Sequence, residues 1–282
     1  MNPLRGSGRR RSGRDSLFAA LLGLAMCASS SCASSSDRAA ADRPGEIVVA
    51  AASDLRPVFD QLGETFTKNT GISIRFSYGS SGQLREQLLQ GAPFDLFASA
   101  SESDVDEVIA GGQGIPQTKL VVGEGRIVIV AADGVELPTG LAAVASRTSD
   151  RIAVAQPDHA PYGRAAVQAL NSAGVVEETA TNIVYGENAA DALRLVESGN
   201  ADLGLVAKSL AVKSGRSFTE VPDSSYETIR QTLVVTSGGT KGKAAEQFVE
   251  LLRSAAGSKV LQRYGFVVPA PTTSSLIRRQ SS

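Results

Sequence analysis

Three short stretches of the chain carry the residue types that could do chemistry: Ala50-Ala51-Ala52-Ser53-Asp54, Tyr78-Gly79-Ser80-Ser81-Gly82 and Gln156-Pro157-Asp158-His159-Ala160-Pro161-Tyr162-Gly163. Each sets small residues and hydroxyls where a short apolar run gives way to a helical pattern. The first turn of a helix leaves N–H groups without intrahelical partners and carries the positive end of its dipole. Several such turns converging would hold an anion without any charged side chain. A serine hydroxyl adds one directional donor. Capping alone explains any single stretch, because Ser and Asp are favoured at helix starts. Three of them, each just past a strand's carboxyl end, lie where open α/β sheets bind ligands.

Other chemistries fit less well. Ser53 or Ser81 with His159 supplies parts of a hydrolase, but no nucleophile-elbow pattern surrounds either serine. A metal site lacks ligands, since His159 is the only histidine and the only cysteines, Cys27 and Cys32, lie near the N-terminus. His159, in a proline-bounded loop, is expected in solvent. Asp95, following Pro93, reads as a carboxylate that caps a turn. Lys208 and Ser209 follow a strand end facing the cleft, with Lys208 expected to be solvated.

The elements that must position these residues alternate. From Glu46 onward, short β-branched runs at 47–51, 72–76, 94–98, 127–131, 152–155, 183–185, 203–206 and 232–236 alternate with amphipathic helical patterns, the signature of an α/β protein with a largely parallel sheet. Leu55, Val58, Phe59, Leu62 and Phe66 recur at helical spacing behind Asp54, read as an N-cap. Ser80 with Gln83 forms a capping-box pattern. Further helices are expected over 104–110, 164–173, 189–198, 243–253 and 258–264. The run at 127–131 is apolar without alternation, as buried parallel strands are.

At 282 residues the chain is longer than one ordinary core organises, which favours two lobes. Its 42 % hydrophobic and 20 % charged residues exclude a collagen, a coiled coil and a polytopic membrane protein. A formal charge of −1, no tryptophan and 5 % aromatics give no reason to expect a nucleic-acid partner. Arg9 to Arg14 precede an apolar run from Leu17 to Met26, the charge order and length of a secretory signal, too short to span a bilayer. A cysteine placed just past that run resembles the lipid-attachment site of bacterial lipoproteins. Cys32, preceded by small Ser31, is the first choice and Cys27, with Leu24 three before it, the second. Plain cleavage and release is the alternative.

The stretches Val48 to Leu55, Tyr78 to Gly82, Gln90 to Ala100, Pro157 to Gly163, Gly199 to Val206 and Gln262 to Phe266 together resemble, in order, the molybdate-binding proteins of bacterial ABC importers. That resemblance implies a two-lobed periplasmic-binding-protein fold of the type II kind, with a hinge between two α/β domains. It implies a receptor, not an enzyme, that needs no cofactor, closes on one tetrahedral oxyanion, molybdate or tungstate, and delivers it to a membrane permease. Carried over by position, Ser53 and Ser81 would donate hydroxyls and main-chain N–H groups, Tyr162 its main-chain N–H, and Ala189 its N–H after Asn188. Ser80 and Ala207 are further candidates, and molybdenum would enter only as its oxyanion. Many relatives carry a tyrosine where this chain has Ala207, so the Tyr162 hydroxyl or a water would fill that place.

A cleft of donors alone satisfies a fully deprotonated dianion, whereas monohydrogen phosphate brings a proton that needs an acceptor. The expected division is a signal with its lipoprotein cysteine over 1–32, a flexible tether over 33–45, one lobe from 46–123 plus 232–269, the other from 124–231, and a frayed tail over 270–282. A monomer is expected. The rival readings are a receptor of the same architecture for sulfate or an organic anion, and an exported serine hydrolase.

Overall fold

The computed structural model describes residues 45–147, 149–239 and 241–269. The signal, Cys27, Cys32, nearly all of the tether and the 270–282 tail lie outside the described residues. Among the described residues the strands are β1 (Ile47–Ala52), β2 (Ile74–Gly79), β3 (Leu96–Ser99), β4 (Leu120–Gly125), β5 (Ile127–Ala131), β6 (Ile152–Ala155), β7 (Ile183–Gly186), β8 (Leu203–Ala207), β9 (Thr219–Glu220) and β10 (Ile229–Val235). The helices are α1 (Arg56–Thr70), α2 (Ser81–Leu89), α3 (Glu102–Ala110), α4 (Leu141–Ala145), α5 (Pro161–Ser172), α6 (Val176–Thr179), α7 (Ala189–Glu197), α8 (Lys208–Ser214), α9 (Gly242–Arg253) and α10 (Ala255–Arg263).

The strands form two five-stranded sheets, ordered β2-β1-β3-β10-β4 and β7-β6-β8-β5-β9. Both follow one plan. In the first, β1 runs parallel to β2 and β3, and β10 is antiparallel to β3 and β4. In the second, β6 runs parallel to β7 and β8, and β5 is antiparallel to β8 and β9. The chain leaves the first sheet at Gly125 and enters the second at Ile127 with only Arg126 between, then returns between β9 and β10.

The sheets are therefore mixed, which corrects the expectation of a largely parallel sheet. The run Ile127–Ala131 is buried as expected, but it is antiparallel to both of its neighbours. Continuous apolar character reports burial on both faces, whatever the direction of the partners. The second strand begins at Ile74 and reaches Gly79, so Tyr78 sits in the strand. Strand β4, with Gly123 and Gly125, and helices α4, α6 and α8 carry too short or too weak a pattern to be read in advance.

Helix packing follows the apolar stripes. Val58, Phe59, Leu62 and Phe66 of α1 are buried at helical spacing, and Phe248 of α9 meets Phe59 and Phe66 edge-on at 5.4 and 5.5 Å. Each such fully buried side chain contributes about 1.5–3 kcal/mol. Strand β1 is buried at five of its six positions, so its carboxyl end is a rigid platform for the residues that follow.

Candidate functional site

Four strand-to-helix junctions meet, two from each sheet. β1 runs into a 3-10 turn, Ser53–Leu55, ahead of α1. β2 passes through Ser80 into α2, and the Ser80 hydroxyl accepts from Gln83 N at 3.4 Å, as the capping-box pattern predicted. Across the cleft, the loop after β6 enters α5 with Pro161 in its first turn. β7 enters α7 through Asn188, whose Oδ1 accepts from Ala190 N and Asp191 N.

Together they line a small cavity of about 10 Å³ formed by Ala52, Ser53, Asp54, Gly79, Ser80, Ser81, Ala100, Ala160, Pro161, Tyr162 and Ala189. Ser53, Ser80, Ser81, Tyr162 and Ala189, all read from the sequence, are thus brought together, and all are buried. No lysine, arginine or histidine stands in this wall. Ser81, Tyr162 and Ala189 lie in the first turns of their helices, where N–H groups have no intrahelical acceptor. The Ser53 hydroxyl accepts from Ala190 N at 3.2 Å and the Ser81 hydroxyl accepts from Ala100 N at 3.0 Å, so each retains its own proton for a ligand. Ala207 does not line the cavity; it is fully buried in β8 opposite Ile127.

The structure corrects several assignments. Asp54 is not a helix cap. The residue capping α1 is Leu55, and the buried Asp54 carboxyl Oδ2 instead accepts from the Tyr162 hydroxyl at 2.9 Å and from Gln231 Nε2 at 2.8 Å. The wall is therefore not made of donors alone. Burial pushes the Asp54 carboxyl up to about 7, against the opposing effect of hydrogen bonds from Tyr162, the backbone and Gln231. The Tyr162 hydroxyl, a candidate to replace the relatives' phenol, is spent on Asp54, and burial with the neighbouring carboxyl raises its pKa well above the ordinary value.

His159, in turn, is not left to solvent. Its Nδ1 lies 2.8 Å from the Ser80 hydroxyl and its main-chain oxygen accepts from Gly82 N at 2.9 Å, joining the two sides of the cleft at its lip. Gln83 donates to Glu187 at 3.1 Å beside it. Gly82 is required for this approach, because a Cβ there would stand 2.9 Å from the His159 oxygen and 3.1 Å from its Cα. Neither Ser53 nor Ser81, the serines considered for a hydrolase, is hydrogen-bonded to His159. Lys208 reaches the surface as expected, where it pairs with the exposed Glu220. Asp95 is a structural carboxylate as expected, accepting from Val48 N and Lys241 N at 2.8 and 3.0 Å.

Sequence reasoning missed Gln231 and the role of Ala100. A glutamine inside an apolar strand was the available signal for the first; nothing in the local sequence marks the second.

With this geometry in hand, the class of protein is clear: the chain matches the bacterial extracellular solute-binding protein family over residues 47–267 and belongs to it. The family is one of solute receptors that act outside the cytoplasm. Among its relatives, the molybdate-binding protein ModA of Rhodobacter capsulatus is 31 % identical over 224 residues, covering 79 % of this chain and 88 % of that one. YvgL of Bacillus subtilis, named as an ABC transporter substrate-binding lipoprotein, is 29 % identical over 224 residues, covering 78 % of this chain and 85 % of that one, and the molybdate-binding protein ModA of Mycobacterium tuberculosis is 32 % identical over 229 residues, covering 79 % of this chain and 85 % of that one. The periplasmic molybdate-binding protein of Azotobacter vinelandii superposes with a TM-score of 0.74 at 28 % identity, covering 79 % of this chain and all of that one. The two-lobed periplasmic-binding-protein fold expected from the sequence is therefore the fold observed.

Proposed function

We propose that this protein is an extracytoplasmic receptor that closes on one tetrahedral oxyanion, molybdate or tungstate, and hands it to the permease of an ABC importer. The observation that carries this reading is the cavity itself: serine hydroxyls and first-turn N–H groups from both sheets converge on a small buried space without a cation. The donors in this wall, set beside the single Asp54 carboxyl, are directional partners for the oxygens of a compact dianion. The molybdate-binding relatives cover nearly the whole folded body, which favours molybdate over sulfate. Ser53, Ser81, Tyr162 and Ala189 are the proposed ligands, with Ser80 behind them.

The first lobe is proposed to comprise residues 46–123 and 232–269 and the second 124–231, hinged where the chain crosses between sheets. The first sheet draws β10 from late in the chain, which supports a discontinuous lobe. Lipid attachment at Cys32, with Cys27 as the alternative, is supported by the sequence signal and by the lipoprotein name of the Bacillus relative. The receptor is proposed to work as a monomer.

A thermal-shift series with molybdate, tungstate, sulfate and phosphate tests the reading. A ligand at one hundred times its dissociation constant stabilises the folded state by about 2.7 kcal/mol. Molybdate and tungstate are expected to raise Tm and sulfate much less; an equal response to sulfate would refute the molybdate assignment.

A further inference from the structure

Asp54 is the one carboxyl in the cavity wall. It follows Ser53 directly, and its Oδ2 joins Tyr162 of the second sheet's α5 to Gln231 of the first sheet's β10. The contact is close: a Cβ on Gly125 would collide with the Tyr162 hydroxyl. No cation bonds to Asp54 among the described residues. Of the charged groups on the elements around it, Arg56 and Asp60 of α1 engage Tyr78, Asp191 of α7 pairs with Arg194, and Lys208 of α8 pairs with Glu220. Arg126 pairs with Glu124 and Asp223.

Beside the carboxyl, Gln231 Oε1 is buried without a hydrogen-bond partner. A carboxylate offers that oxygen nothing, whereas a carboxylic acid facing a primary amide exchanges a bond in each direction. Leaving a buried acceptor unpaired is costly, and an ionised carboxylate next to a bound dianion would repel it in a site shielded from water.

We propose that Asp54 is a positioning residue that takes up one proton from solvent as the cleft closes on its anion, the neutral carboxyl then latching Tyr162 to Gln231. This rests on the oxyanion-receptor reading. Opening the cleft draws α5, α7 and α8 away and hydrates the carboxyl, returning it towards its ordinary value of about 3.9. In the closed state burial holds it at about 7. Closed protein therefore binds the proton more tightly, and affinity must fall as pH rises through the interval between those values. A neutral carboxyl also leaves no ionised acceptor for the proton of monohydrogen phosphate.

The test is calorimetry with molybdate in two buffers of different ionisation heat, which counts protons directly. At pH 6 the protein should take up about 0.9 proton per anion, and affinity should be about tenfold weaker at pH 8 than at pH 6. Asp54→Asn, which keeps a hydrogen-bond acceptor without a titrating charge, should bind without proton uptake and lose this pH dependence. Binding by wild type with no uptake overturns the proposal, as does equal uptake by Asp54→Asn. Should that variant not fold, the wild-type proton count decides alone. Absence of any binding heat with molybdate, tungstate or sulfate would refute the receptor reading and the latch with it.

Discussion

Ser53→Ala and Ser81→Ala look equivalent as deletions of one ligand hydroxyl, and the structure separates them. Each should lose a hydrogen bond to a charged ligand, about 1.5–3 kcal/mol, or roughly ten- to a hundredfold in affinity. Their effects on the unliganded protein differ. Ser81 Oγ is the acceptor for Ala100 N in a buried setting, so its removal strands a buried N–H at about 1–3 kcal/mol. Ala190 N, the donor to Ser53 Oγ, is also bonded to Asn188 Oδ1 at 3.0 Å and keeps that partner. At about 2–4 °C per kcal/mol for a folded body of this size, Ser81→Ala should lower the Tm of the ligand-free protein by roughly 2–12 °C. Ser53→Ala should stay within about 2 °C of wild type. Differential scanning calorimetry without ligand, followed by titration with molybdate, reads both quantities. Equal Tm losses, or a larger loss for Ser53→Ala, would refute the account of which hydroxyl also supports the backbone.

Gly82→Ala should weaken molybdate binding at least tenfold with little change in the Tm of the ligand-free protein, because its Cβ obstructs the approach of His159 rather than either sheet; an unchanged Kd would show that the lip contact is dispensable. In the closed, anion-bound protein the Asp54 carboxyl binds a proton more tightly than in the unfolded chain, so its contribution to stability is complete below about pH 4 and is lost as pH rises towards 7. With molybdate saturating, wild type relative to Asp54→Asn should therefore lose roughly 2–3 kcal/mol of unfolding free energy between pH 5 and pH 8 in urea titrations; a constant difference would refute the burial argument. Export should depend on Leu17 to Met26 and anchoring on Cys32. Membrane attachment that survives both Cys32→Ala and Cys27→Ala would rule out lipidation, as read by fractionation.

The sequence by itself determined what is local. Buried runs such as Ile127–Ala131 and Ile152–Ala155 announce their strands by composition, and the bounds found match those read. Ser80 and Gln83 announce a helix start because the hydrogen bond spans three residues. The candidate residues Ser53, Ser81 and Tyr162 were recognisable as junction residues, since a strand end followed by a helix start is itself a sequence pattern, whereas Ala189 was marked only by the family resemblance. What only the tertiary structure decided depends on residues far apart in the chain. Apolar composition is the same for either strand direction, so the antiparallel setting of β5 and β10 was invisible. The destination of the Asp54 carboxyl was invisible too: a helix cap and a buried latch begin with the same residue after the same serine. The difference lies in Tyr162, which is 108 positions away, and in Gln231, 177 away, at a place where the β4–β10 register shifts between Gln231 and Thr232. Such a shift re-aims a side chain, and it arises from the pairing of two strands, so neither strand's sequence contains it.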